Sequence, residues 1–77
     1  MNRKLEAAHL AAADRHIAEG QARIALQRTL IAHLKRRDFG TEDAEDLLRL
    51  LTDTLVQYQH HRDMIAASIA TSDGRER

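Results

Sequence analysis

Two long stretches free of proline, parted only by Asp38-Phe39-Gly40-Thr41, make up almost the whole of this 77-residue chain. Proline breaks helices by removing a backbone donor, so its absence leaves each stretch free to run as a single helix. The chain is therefore predicted to be all-α, one antiparallel two-helix hairpin. The pattern places a helix over about 3–38, a turn at 38–41, a second helix over about 42–70 and a frayed tail at 71–77.

The first stretch is rich in Ala, Leu, Arg, Glu and Gln, all good helix formers. Leu10, Ile17, Ile24 and Ile31 recur at heptad spacing, with Ala13, Gly20, Gln27 and Leu34 three residues further on in each repeat. Such a seam packs one helix against another. The second stretch carries Ala44, Leu48, Leu51, Leu55, Tyr58, Arg62, Ile65 and Ile69 at alternating spacings of four and three. Leu26 and Leu30 widen the first stripe, and Leu47, Leu50, Val56 and Met64 add apolar area beside the second. That width exceeds what a two-helix contact needs and suits a four-helix core.

The turn is marked from both sides. Lys35, Arg36 and Arg37 suit the negative end of a helix dipole, and Gly40 is the residue expected to take the left-handed conformation that ends the helix. Thr41 is a plausible N-cap, and Glu42, Asp43, Glu45 and Asp46 place negative charge at the next helix's positive end. At 1.5 Å per residue each arm would be roughly 45–50 Å long. A hairpin of that length leaves apolar flanks facing water, so pairing into a homodimeric four-helix bundle is expected.

Composition excludes several classes. There is no cysteine, hence no disulfide, which fits a reducing compartment. Asp14 and Arg15 interrupt the alanine-rich segment before it reaches signal-peptide length. No apolar run is long enough to span a bilayer, so a cytoplasmic protein without membrane contact is expected. Twelve Lys and Arg balance twelve Asp and Glu, and only Phe39 and Tyr58 are aromatic. Nucleic-acid binding is thus disfavoured, since phosphate recognition draws on a basic surplus. The glycines, at 20, 40 and 74, form no phosphate-binding loop. Ser68 and Ser72 have no evident base, and His9 and His33 stand alone. No catalytic residue and no cofactor site is expected, and the chain reads as not an enzyme.

The unusual residues gather in one region. A turn centred on Phe39-Gly40 would set Gly20 across from Tyr58 to His61. A glycine inside a helix costs about 1 kcal/mol against alanine, so it should serve the Tyr58 ring or a close helix approach. The same geometry brings Asp14, Arg15, His16 and Glu19 toward His61, Arg62 and Asp63, a candidate interaction patch. His16 and Glu19 would face His60 and Asp63, a weak arrangement for a metal ion, with a salt-bridged patch the plainer reading. Arg62 on the seam would pack its stem and pair with Asp14 or Glu19, and Gln27 would pair across a dimer axis. The core and dimer residues are expected to be Ile17, Gly20, Ile24, Ile31, Leu48, Leu51, Leu55 and Tyr58.

The string Asp14-Arg15-His16-Ile17-Ala18-Glu19-Gly20, with Arg23-Ile24-Ala25, Gln27-Arg28 and the later His61-Arg62-Asp63, resembles a pattern in short uncharacterised bacterial helical-hairpin proteins. The resemblance spans roughly residues 14 to 65 and implies the hairpin fold without any activity. In that pattern the turn often carries a His or Asp; Asp38-Phe39-Gly40 departs from it. In shape alone the chain is also similar to Rop-type hairpins, which dimerise into four-helix bundles and bind paired RNA loops; no motif of theirs is matched. The expected function is a small homodimeric interaction module for a protein partner. The alternatives are a nucleic-acid-binding regulator using Arg3-Lys4 and Lys35-Arg37, or a metal-binding bundle.

Overall fold

The computed structural model describes the backbone of residues 3–75 and the side chains of residues 3–71. Two helices, α1 (Arg3–Arg36) and α2 (Glu42–Arg75), pack side by side along their length. The hairpin measures 62 × 15 × 12 Å between Cα extremes. The second helix runs to Arg75, past the frayed tail expected from residue 71; residues 76 and 77 lie outside the described residues. Nothing in Thr71-Ser72-Asp73-Gly74 stops a helix outright, because no proline intervenes.

The α1 seam is where the heptad spacing predicts it. Ala13, Ile24, Gln27 and Ile31 are buried, and Leu10, Ile17, Gly20 and Leu34 are half-buried. On α2 the seam residues Ala44, Leu48, Leu51, Leu55, Arg62, Ile65 and Ile69 are half-buried, whereas Tyr58 remains 37% exposed. None of the described side chains is fully enclosed, and none of those described on α2 is buried. Two helices can cover only one face of each other.

The chain reverses earlier than the glycine suggests. Asp38, with φ 60°, is the described residue other than glycine in the left-handed region, and Gly40 has no positive φ. The Phe39 N–H donates to the Leu34 carbonyl at 3.0 Å and the Asp38 N–H to the Lys35 carbonyl at 3.1 Å, the paired bonds of a Schellman ending. Leu34 is the last seam residue, so a helix prolonged to Gly40 would add a turn with no partner. Aspartate tolerates this conformation better than most residues. Beyond the reversal, Thr41 accepts the Glu45 N–H at 2.8 Å through its carbonyl, and its hydroxyl donates to Glu45 Oε2 at 3.3 Å.

These assignments make a paired prediction. Asp38→Gly should stabilise the hairpin by about 0.5–1 kcal/mol, because glycine takes positive φ without strain. Gly40→Ala should change stability by less than about 0.5 kcal/mol, since its new Cβ meets only the swingable Glu42 carboxylate, at 2.9 Å. Denaturant unfolding of the two variants checks both. A large loss for Gly40→Ala alone would return the helix ending to Gly40.

Candidate functional site

The early reversal shifts the register of the hairpin. Residues 39–41 are not helical, and non-helical chain advances up to about 3.3 Å per residue against 1.5 Å in a helix. The second helix therefore starts further back along the first than a turn centred on Gly40 allows. Gly20 meets Leu55, not Tyr58 to His61: a Cβ built on Gly20 would lie 3.3 Å from Leu55 Cδ1. Tyr58 lies beside His16 instead, ring centres 5.7 Å apart and planes tilted by 43°. Gly20 thus serves close helix approach. Leu55 is half-buried and can yield by a few tenths of an ångström, while alanine gains about 1 kcal/mol of helix propensity. Gly20→Ala is therefore expected to be neutral or mildly stabilising, and Gly20→Leu to cost about 1–3 kcal/mol by wedging the helices apart. Thermal unfolding distinguishes the pair.

Gln27 is also placed differently from the expectation. It is buried inside the hairpin, and its Nε2 donates to the Ala44 carbonyl at 2.8 Å. A buried amide needs such a partner, so Gln27 ties the two arms of one chain together and does not reach across a dimer axis.

The candidate patch divides into two. Residues two apart on a helix point to different sides, so Asp14 and His16 cannot share a face. On one face Arg62 Nε donates to Asp14 Oδ1 at 2.9 Å, and Arg62 Nη1 lies 3.7 Å from Asp63 Oδ1. The hydrogen bond that Arg62 donates to Asp14, then the Asp14 charge, raises the Arg62 pKa above the ordinary guanidinium value; desolvation opposes this and Asp63 adds to it. Arg62 is accordingly cationic at any working pH. On the opposite face His16 and His61 line a groove of about 360 Å³ with His9, Ala12, Ala13 and Ile65. Arg15 and Glu19 are exposed on α1 beyond that groove.

The four weak metal candidates do not assemble. His16 turns to Tyr58, His60 is exposed, and Asp63 joins Arg62 on the far face from His16. Among the described residues no group of three or more His, Asp or Glu side chains is clustered for a metal ion. The basic run at the end of α1 is partly engaged, with Lys35 Nζ 3.6 Å from Glu45 Oε1. Arg49 pairs with Asp46 one turn away.

The feature that the seam reading undervalued is an apolar side face. Leu26 is 71% exposed and Leu50 62%, with Leu30 and Leu47 exposed as well. Leu30 stands about five turns beyond Ala12 on α1, and Leu47 about five turns before Ile65 on α2, so all four positions share one side of their helices. Ala12 and Ile65 meet in the same groove, which fixes these sides as one face of the hairpin. The other face carries Gln21, Arg28 and Thr52 along its own groove, and the Asp14–Arg62–Asp63 strip. One face is leucine-rich and the other polar. No helix among the described residues is long and apolar enough to cross a membrane.

Comparison of the chain with protein-family models, with curated proteins and with solved structures finds no match.

Proposed function

We propose that the chain is a non-enzymatic interaction module: a homodimeric four-helix bundle that covers its leucine face with a second copy and offers the Asp14–Arg62–Asp63 strip to a protein partner. One observation carries the reading. The accessible surface is 6013 Å². A compact monomer of 8.7 kDa exposes about 4,700 Å², leaving an excess of about 1,300 Å² per chain. Two copies hiding that excess would bury about 2,600 Å² in all, within the range of obligate homodimers. The exposed leucines gather on one face, where such burial stabilises most.

Arg62 pairs with two carboxylates on the polar face, which the dimer leaves outward. An alternating charge strip selects partners by complementarity more than it adds affinity. Sedimentation equilibrium between about 1 and 100 μM should give a two-chain mass. Immobilised chain should recover a specific partner that Arg62→Glu loses while remaining dimeric. A single-chain mass throughout would remove the bundle, and undiminished recovery by Arg62→Glu would remove the strip.

A further inference from the structure

We infer that the groove lined by His9, Ala12, His16, His61 and Ile65 receives Leu26 and Leu47 of a second copy, with the two turns at opposite ends of the dimer. The inference rests on the dimer proposed above and adds its geometry.

Large and small residues on the leucine face are arranged about one point. On α1, Ala8 and Ala12 occupy the same side as Leu26 and Leu30, about five turns away in each case. Glu19 lies midway between Ala8 and Leu30, and midway between Ala12 and Leu26. Arg15 and Arg23 flank it at equal distances. A two-fold axis passing beside Glu19, perpendicular to the helices, therefore sets each Leu30 over the partner's Ala8 and each Leu26 over the partner's Ala12. On α2 the same axis sets each Leu47 over the partner's Ile65, which lines the groove, since Glu19 stands beside the level of Leu55. Leu26, Leu30 and Leu47 then each meet a small residue or the groove. Cores pack to uniform density when large and small positions alternate across the interface.

Charge does not select the axis: the same register sets Glu19 over the partner's Glu19 and Arg15 over the partner's Arg23, each Glu19 having the partner's two arginines one turn away on either side. The opposite arrangement, with both turns at one end, sets α1 of each copy over the partner's α2 and stacks Leu26 and Leu30 on the partner's Leu47 and the partner's Leu50. That crowds large side chains beside the turns and loses packing there.

The chain lacks cysteine, so single-cysteine variants report cleanly. Spin labels on Phe39→Cys, measured by pulsed dipolar spectroscopy, should lie on the order of 50 Å apart, close to the 62 Å length of the hairpin. Glu19→Cys should cross-link to itself on mild oxidation. Sedimentation of the same samples separates the two levels of argument. A dimer with turn labels closer than about 25 Å, the width of a bundle of helices 8–10 Å apart, overturns the groove assignment and leaves the dimer standing. A monomer overturns both. A second test needs no label. Leu26→Ala and Ala12→Leu should each weaken dimerisation at least about tenfold, and the double variant should recover most of the loss because the swapped sizes still match across the axis. No recovery in the double variant would also overturn the pairing.

Discussion

Leu26→Asp combined with Leu50→Asp is expected to convert the dimer to monomer, weakening association by more than about a thousandfold. The two leucines are the most exposed of those on the leucine face, so neither supports the seam within one chain. Burying a leucine side chain contributes about 1.5–3 kcal/mol, and a two-fold dimer buries each one twice. Half of that sum is about 3–6 kcal/mol, centred above the roughly 4 kcal/mol of a thousandfold in affinity. A carboxylate trapped under the partner adds its own desolvation. Val56→Asp is the control, since Val56 is exposed to a similar degree but lies off the leucine face. Sedimentation should find Val56→Asp dimeric and the Leu26/Leu50 variant monomeric. Loss of mass in both would show that added charge in general, and not the leucine face, governs association.

The second large effect concerns the seam. Ile24→Ala and Ile31→Ala should each cost about 2–4 kcal/mol, because both side chains are only 7% exposed and large-to-small changes at such sites lose burial and leave a cavity. Whole domains are stable by only about 5–15 kcal/mol, so the pair together should leave the hairpin largely unfolded at room temperature. Urea unfolding at a fixed chain concentration measures this, the concentration mattering because dimerisation feeds into apparent stability. Leu30→Ala is predicted to differ in kind. It should weaken association strongly while changing the helix content of a concentrated sample little.

The heptads of α1 were plain in the sequence because a seam between two helices repeats every seven residues and leaves little freedom over where it falls. All eight of its positions are buried or half-buried. The turn was readable as a turn, but its centre was not. Glycine suits positive φ anywhere, whereas the reversal is fixed by where packing stops after Leu34, and Asp38 happened to stand there. That displacement by a few residues moved Gly20 from Tyr58 to Leu55 and separated His16 from Asp63.

The patch divides between two faces for a different reason, although Asp14, Arg62 and Asp63 meet as the spacing suggests. Asp14 to Glu19 and His61 to Asp63 are neighbours along the chain, but a helix turns successive residues by 100° and sends them to different sides. The signal that separates them was present in the spacing. So was the leucine face: Leu26 and Leu30 looked like a broadened seam, yet they stand on the flank that Ala12 marks, with the seam itself closed by Ile24, Gln27 and Ile31. What the sequence leaves out is which flank of α1 lies beside which flank of α2, and that follows only from the packed structure.

Small-angle X-ray scattering reads mass and shape together and so tests the covered leucine face most directly. Two hairpins packed face to face at the usual 8–10 Å between helices have a radius of gyration only about 1 Å above the 17.7 Å of one hairpin. The account predicts a forward intensity of two chains with that nearly unchanged radius. A one-chain intensity at about 100 μM, or a two-chain intensity with a radius beyond about 30 Å as in end-to-end association, would contradict it.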